Sequence, residues 1–212
     1  TDLEVELVGR VTVDQMHTSG AVTVPARKLL DICKSLSDDA IIELLLAENK
    51  VTLKSGRSRF TLTTLPATEF PGVDEEPDTF SITMHQGKLR ELLDSTSFAM
   101  AQQDVRYYLN GMLFEVAADY LRVVATDGHR LAMETLNMSN PILEPQQLIL
   151  PRKGIMEMAR LLTDDAGEIS LTFGQNHIRA SVPAFTFTSK LVDGKFPDYN
   201  RVLPKGGNKV LL

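Results

Sequence analysis

The chain has little of what disulfide frameworks and metal sites require. Its 212 residues include one cysteine, Cys33, so no internal disulfide can form. Cys33 lies in a segment with helical apolar periodicity, and we expect a buried, reduced thiol in a cytosolic protein. The four histidines, His17, His85, His129 and His177, stand singly, without the paired spacing of metal ligands. We therefore expect no metal and no other cofactor.

The sequence also lacks the features typical of membrane proteins, nucleotide-binding proteins and serine hydrolases. No apolar run approaches the roughly 18 residues of a membrane-spanning helix. There is no Gly-x-x-x-x-Gly-Lys loop for nucleotide phosphates and no Gly-x-Ser-x-Gly elbow for a nucleophilic serine. The net charge of −6 argues against a protein that coats nucleic acid with its whole surface, although a local basic face remains possible. A hydrophobic fraction of 43% is enough to bury a sizeable core, and we expect a folded cytoplasmic protein.

The sequence contains an internal repeat. The stretch PARKLLDICKSLSDDA begins at Pro25, and PRKGIMEMARLLTDDA begins at Pro151. Each is followed by a Phe-Pro pair, and the offset between the copies is about 126 residues throughout. Residues 80–125 of the second copy have no counterpart before Thr1. We therefore expect this chain to be a fragment that lacks about 46 residues of its first repeat.

The periodicity of apolar residues predicts an α+β fold built from antiparallel sheets. Helices are expected at residues 25–36, 87–98 and 151–162, with prolines in the first turn of two of them. Alternating stretches such as LEVELVGRVTV, KVTLKSGRSRFTLTTL, GMLFEVA, LRVVAT, EISLTF, HIRASV and FTFTSKLV predict strands. The proline-rich, acidic residues 70–79 predict a linker between the repeats.

Two of the predicted helices are basic although the chain is acidic. The segments 25–36 and 151–162 each carry a net charge of +2. Equivalent basic helices on an acidic body suggest an inner face that meets phosphates, but solvated helix residues would give the same pattern.

The stretch ATDGHRLAM, residues 125–133, concentrates polar side chains that could act in catalysis. Asp127 and His129 could share a face and form a hydrolase dyad, but no nucleophile with a recognisable motif accompanies them. The other interpretations are a hydrogen-bonding histidine at a strand end and a peptide-binding adaptor with no DNA role. Nearby, Tyr107 and Tyr108 are expected on opposite faces of an extended segment, one in the core and one exposed beside Arg106.

Four separated motifs, QDVRYYLNGMLFE, VATDGHRLA, LPRKG and FTSKLVDGKFPDYNRVLP, resemble the bacterial beta sliding clamp family, and SGRSRF at residues 55–60 fits as well. This family provides the processivity subunit of the replicative DNA polymerase III. Its subunit has three similar domains, and two subunits form a ring around duplex DNA. The resemblance implies that residues 1–79 hold the later part of the first domain with its linker. Residues 80–208 would be the second domain, and residues 209–212 would start the link to a third.

The resemblance also implies which residues act. A pocket for partner peptides is implied at Leu109, Thr126, Gly128, His129, Arg130, Leu131, Pro197, Arg201 and Val202. The residues implied to face DNA are Arg27, Gln103, Tyr108, Arg152, Lys153 and Arg160. The residues implied at the subunit interface of a homodimer are Lys28, Arg57, Arg59, Phe60 and Leu62.

As the resemblance has it, the protein is not an enzyme, and no catalytic residue is expected. Its partners would be double-stranded DNA, bound without sequence preference, the replicative polymerase, the clamp loader and other proteins with a clamp-binding motif. Membrane association is not expected. Asn200 and the pair Gln102-Gln103 depart from the usual family residues, and either change could weaken DNA or peptide contacts.

Overall fold

The chain divides into two compact units. A computed structural model describes Asp2, residues 4–72, residues 77–203 and Gly206. The larger unit comprises residues 1–11 and 73–212, and the smaller unit comprises residues 12–72. Part of the predicted linker, residues 73–76, and the predicted start of a further domain, residues 209–212, lie outside the described residues. The domain boundaries inferred from the resemblance stay a prediction.

Three helices and fourteen strands occur in the described residues. The helices are α1 (Ala26–Ser35), α2 (Gln86–Thr96) and α3 (Arg152–Leu161). The strands are β1 (Val5–Gly9), β2 (Val22–Thr23), β3 (Glu43–Ala47), β4 (Lys50–Ser55), β5 (Ser58–Thr63), β6 (Leu65–Pro66), β7 (Asp78–His85), β8 (Gly111–Val116), β9 (Tyr120–Thr126), β10 (Leu131–Asn137), β11 (Gln146–Pro151), β12 (Glu168–Gly174), β13 (His177–Ser181) and β14 (Phe185–Lys190). Every strand pair in the described chain is antiparallel, which confirms the predicted α+β class. None of the described helices is long and apolar enough to cross a membrane.

The predicted helices begin where the sequence indicates. Pro25 and Pro151 are the residues immediately before α1 and α3, with φ of −63° and −64°. Proline is tolerated there because its fixed φ suits a helix start and its missing N–H would have no helical partner. The hairpin β4–β5 and the strands β8, β9, β12, β13 and β14 are confirmed, whereas the first predicted strand is shorter and covers only β1.

Two sheets and two helices form the core of the larger unit. One sheet has five strands in the order β1-β14-β13-β12-β7, and the other has four in the order β10-β9-β8-β11. Phe114 on β8, Phe173 on β12 and Leu89 on α2 are each fully buried in one continuous cluster. Burial of this apolar surface is the main stabilising contribution to the unit.

The opposite face of the four-stranded sheet carries a second hydrophobic cluster. Because side chains alternate along a strand, Leu113, Val124 and Ile149 point away from the main core and share one row across β8, β9 and β11. Phe196 and Tyr199 cover this row and are 5% and 3% exposed. The chain after β14 is therefore fixed to the sheet by two buried aromatic residues.

The smaller unit has a sparse core, and the prediction of a buried thiol is wrong there. Its larger sheet has the order β3-β4-β5, and a second sheet pairs β2 with β6. Val51, Leu53 and Leu62 are the buried apolar side chains among the described residues of this unit. Cys33 on α1 is exposed. At the equivalent position in the second repeat, Ala159 packs against a core that residues 80–125 help to build. The first copy has no described counterpart of those residues, so α1 has no such core to bury Cys33.

The repeat is visible in the elements themselves. Ala26 and Arg152 start α1 and α3, and Ser35 and Leu161 end them, so both boundaries lie 126 residues apart. After each helix come three antiparallel strands, β3-β4-β5 in the first copy and β12-β13-β14 in the second. The same offset matches β1 to the first five residues of β10.

Candidate peptide-docking surface

The turn between β9 and β10 is built by its own polar side chains. Thr126 pairs with Leu131 across the two strands, which leaves a four-residue turn, residues 127–130. The Thr126 hydroxyl donates to the Arg130 carbonyl at 2.7 Å and accepts from the Gly128 N–H at 3.1 Å. Threonine here therefore closes the turn from within.

Asp127 holds the same turn and is not arranged as a catalytic partner of His129. Its Oδ1 accepts from the backbone N–H groups of His129 and Arg130 at 2.9 and 3.0 Å, and its Oδ2 accepts from Arg130 Nε at 3.1 Å. The two backbone hydrogen bonds are the main cause that lowers the Asp127 pKa below its ordinary value. Within the described residues, neither Asp127 oxygen bonds the His129 ring, so the geometry gives no support to a hydrolase dyad.

Gly128 is required by two separate features. Its φ of +88° lies in the region that residues with a Cβ rarely adopt. In addition, a Cβ at this position would lie 3.1 Å from an Arg106 guanidinium nitrogen.

Arg106 ties the turn to the preceding segment and was not among the predicted site residues. It bonds Asp104 with two nitrogens, at 3.0 and 2.7 Å, and donates to the Asp127 carbonyl at 3.3 Å. The side-chain hydrogen bond from Arg106 is the largest cause that lowers the Asp104 pKa to about 2. Sequence spacing could not reveal this link, because Arg106 and Asp127 are separated by 21 residues.

Leu109 and Leu131 lie together at the second hydrophobic cluster. Leu109 is 2% exposed within that cluster, and Leu131 is half-buried against it. Leu109 therefore supports the surface from below. Tyr107 and Tyr108 lie in a 3₁₀ helix with their rings in edge contact, 5.7 Å apart, so the prediction of an extended segment with opposed rings is wrong.

The remaining predicted docking residues lie on the segment that covers this cluster. Pro197, Arg201 and Val202 are exposed around buried Phe196 and Tyr199, and Val202 is 69% exposed. Asp198 stabilises the 3₁₀ helix Tyr199–Arg201 by accepting from the Asn200 N–H at 3.2 Å and from Arg201 Nε at 3.0 Å. The surface thus has two sides, the turn after β9 and the wall at residues 196–203, and both pack on one cluster. We call these two sides together the docking surface.

A buried carboxylate lies under the wall. The Glu115 side chain accepts from the Tyr120 hydroxyl at 2.7 Å, the Tyr199 hydroxyl at 3.0 Å and Gln147 Nε2 at 2.6 Å. Burial by itself would raise the Glu115 pKa, but these hydrogen bonds and the charge of Arg122 lower it. The same carboxylate raises the pKa of Tyr120 to about 12, chiefly through their hydrogen bond. Glu115 is therefore ionised at neutral pH.

The residues predicted to face DNA are paired in several cases. Lys153 forms ion pairs with Asp2 and, at 3.8 Å, with Glu4, and it lines a groove of about 360 Å³ beside β1. Arg160 lies 2.7 Å from Glu157, and in the smaller unit Arg27 lies 3.6 Å from Asp31. A continuous basic face is not evident from these contacts.

The other predicted DNA-facing residues differ in exposure. Arg152 is half-buried, and its Nη1 has no hydrogen-bond partner among the described residues. Gln103 is exposed, and Tyr108 is half-buried.

The predicted subunit-interface residues lie in the smaller unit. Arg59, Phe60 and Leu62 are on β5, an edge strand of the described sheet, and Arg57 lies in the turn before it. Lys28 is on α1, which packs beside β5. Leu62 is only 5% exposed, so it supports this surface and does not form its outer layer.

Comparison with known families decides what this fold is. Residues 83–198 match the family described as "DNA polymerase III beta subunit, central domain". Residues 1–74 match the family described as "DNA polymerase III beta subunit, N-terminal domain". The chain belongs to the DNA polymerase III beta subunit family. Beta sliding clamps from Pseudomonas aeruginosa and Escherichia coli K12 are 61% and 50% identical over the whole chain. The chain spans 58% and 57% of the lengths of these relatives.

Solved beta subunits share the fold closely. A crystal structure of the DNA polymerase III subunit beta from Pseudomonas aeruginosa has a TM-score of 0.95 and 62% identity, and the match covers 98% of this chain and 57% of that one. A sliding clamp from the same organism, solved bound to griselimycin, has a TM-score of 0.94 and 62% identity, with 98% and 56% covered. The family resemblance drawn from the sequence motifs is thereby confirmed.

Proposed function

We propose that the protein containing this chain is a DNA sliding clamp, the processivity factor of a bacterial DNA polymerase III. It encircles duplex DNA in the cytoplasm as a homodimeric ring and catalyses no reaction of its own. The observation that carries this proposal is the match of two consecutive family domains along the chain. Relatives named beta sliding clamp are 61% identical to it.

The pairing of β1 with β14 supports a head-to-tail arrangement of repeats. Five residues of β1 pair antiparallel with β14, from Val5 with Ser189 to Gly9 with Phe185. By the repeat offset, β1 is the first copy's equivalent of β10, and β5 is its equivalent of β14. If every copy joins the next in this way, β10 would pair with a following domain, and β5 would pair with the last domain of a second subunit. Both are edge strands of the described sheets. The proposed interface residues Arg59 and Phe60 lie on β5.

Contact with DNA would be electrostatic and independent of base sequence. The proposed DNA-facing cations on α1 and α3 are exposed or half-buried, and most of their ion pairs are with exposed carboxylates. Exposed pairs of this kind stabilise a protein by only about 0–1 kcal/mol, so a phosphate can compete for the cation. Weak, exchangeable contacts suit a ring that must slide.

The docking surface would hold the polymerase, the clamp loader and other partners through short peptides. Leu131 and Val202 offer apolar contacts on opposite sides of it, above a cluster that already contains Leu109. Apolar anchors in such grooves provide most of the affinity. We further propose that griselimycin, bound to the Pseudomonas aeruginosa clamp in its solved structure, binds this protein too.

Substitutions on the two sides of the docking surface test this assignment. In the full-length protein, Leu131→Asp and Val202→Asp should each weaken binding of a polymerase-derived peptide by about tenfold or more. Each substitution places a charge against an apolar side chain of the peptide that is buried on binding. Isothermal titration calorimetry provides the measurement. Leu143→Asp is the matched control, because Leu143 is fully exposed and outside this surface, and its affinity should equal that of wild type. Unchanged affinity in both test variants would contradict the assignment.

A further inference from the structure

We infer that Tyr199 is a positioning residue of the docking surface, held by Glu115 at the centre of a polar row that crosses the four-stranded sheet. This inference rests on the proposed docking function. It concerns a residue that makes no proposed contact with a partner, because its side chain is buried beneath the wall.

The row follows from strand register. Thr135 on β10 is opposite Arg122 on β9, Arg122 is opposite Glu115 on β8, and Glu115 is opposite Gln147 on β11. Four polar side chains in line across a sheet face are unusual beside apolar neighbours, because each must find partners when it is covered. The adjacent row of Val124, Leu113 and Ile149 is apolar and belongs to the second hydrophobic cluster.

The row is joined by hydrogen bonds that converge on one carboxylate. Arg122 donates from Nε to the Thr135 hydroxyl at 2.9 Å and from Nη1 to the Tyr199 hydroxyl at 3.0 Å. Tyr199 in turn donates to Glu115 Oε1 at 3.0 Å, and Gln147 donates to Oε2 at 2.6 Å. The Glu115 side chain is 9% exposed and the Arg122 side chain is 25% exposed. Hydrogen bonds to a charged group in such a covered site are stronger than those between neutral groups.

Tyr199 is the member of this network that belongs to the wall. Its ring packs in the apolar cluster while its hydroxyl reaches the polar row, so it is fixed at both ends. It starts the 3₁₀ helix Tyr199–Arg201, with Pro197 two residues before it and Val202 three residues after it. The bond to Glu115 therefore sets the distance of both exposed residues from the sheet. A wall fixed before a peptide arrives loses less conformational freedom on binding.

Tyr120 provides a matched control. Its hydroxyl also donates to Glu115 Oε1, at 2.7 Å. Tyr120, however, lies at the start of β9, and the Arg122 guanidinium carbon lies 4.6 Å from the centroid of its ring. Removing the Tyr120 hydroxyl costs the same carboxylate a hydrogen bond without touching the wall. A purely structural role of the network would make the two tyrosine substitutions equivalent.

The experiment compares Tyr199→Phe with Tyr120→Phe in the full-length protein, with the polymerase-derived peptide as the probe and affinity measured by calorimetry. We expect Tyr199→Phe to weaken binding about tenfold, the change in equilibrium constant that corresponds to one hydrogen bond to a charged group. Tyr120→Phe should stay within about twofold of wild type. Glu115→Gln, which keeps the side-chain shape, should weaken binding as well and guards against a folding defect specific to Tyr199→Phe. Thermal unfolding of each variant verifies that it is folded at the temperature of titration.

The outcomes separate this inference from the proposed function. If wild type binds the probe and only Tyr199→Phe and Glu115→Gln lose affinity, the inference is supported. If wild type binds the probe and all variants bind with equal affinity, the inference is overturned while the docking function stands. The same conclusion follows if both tyrosine variants lose affinity equally. If wild type does not bind the polymerase-derived peptide, the proposed docking function fails and the inference fails with it.

Discussion

Gly128 illustrates how one residue can be specified by two independent constraints. Its backbone requires a positive φ, and its missing side chain leaves room for the Arg106 guanidinium. The turn then presents His129 and Arg130 at the surface with their backbone N–H groups satisfied by Asp127. The polar cluster that looked catalytic in the sequence is a set of turn-forming hydrogen bonds.

Gly128→Ala should lower the free energy of unfolding by about 1–3 kcal/mol, because alanine is strained at this φ and contacts Arg106. Urea unfolding followed by tyrosine fluorescence is the measurement. The chain has four tyrosines, all in the larger unit, and no tryptophan, so the signal reports that unit alone. Gly9→Ala is the control, since a Cβ there meets nothing within 4 Å and no positive φ occurs. Equal midpoints for both variants would contradict the two constraints on Gly128.

A role in the docking surface could be predicted from the sequence only for residues that lie within a family motif. The motif VATDGHRLA pointed to the turn residues, and FPDYNRV pointed to Pro197 and Val202. Arg106 and Tyr199 were not among the predicted site residues, since they act through partners 21 and 84 residues away in sequence. Long-range hydrogen bonds leave no local pattern in a single sequence. The prediction that Cys33 is buried was wrong for a different reason. Helical periodicity shows which face of a helix is apolar but not whether another element covers that face.

Among the elements, helices were easier to predict than strands. The 3.6-residue apolar period, with proline before α1 and α3, predicted the ends of all three helices to within two residues. The strands β2, β3, β7, β10 and β11 were not predicted. In β10 the residues LAMETLN do not alternate strictly, because Leu131 packs on the second hydrophobic cluster at one face, whereas Ala132 and Leu136 pack on the main core at the other. Tertiary context, and not local pattern, makes such a segment a strand.

The contact between α3 and β14 gives a test at the element scale. A Cβ at Gly154 would overlap the Oγ of Ser189, which is fully buried on β14. Alanine favours the helix by about 1 kcal/mol, whereas overpacking a closed interface costs about 1–3 kcal/mol. We expect Gly154→Ala to lower the urea midpoint of the larger unit, and Gly154→Ala with Ser189→Ala to recover part of the loss. A midpoint raised by Gly154→Ala alone would show that helix propensity outweighs the close approach.

At the scale of the whole molecule, the repeat was the most informative feature of the sequence. It anticipated the equivalence of α1 with α3 and of the strands that follow them. It could not reveal that the strand following Thr1 pairs with β14, because antiparallel partners 180 residues apart share no local signal. That pairing gives the proposed ring its rule of assembly, in which an edge strand of one copy extends the sheet of the next.

Retention on circular DNA tests the proposed clamp most directly. The full-length protein would be loaded on nicked circular DNA by a clamp loader, washed in high salt to remove electrostatic binding, and then measured before and after linearisation. A control linear DNA with both ends blocked by bound protein separates sliding from dissociation. We expect the protein to stay on the circle and on the blocked linear DNA and to be lost from DNA with free ends. Equal retention on circular DNA and on linear DNA with free ends would contradict a topological clamp.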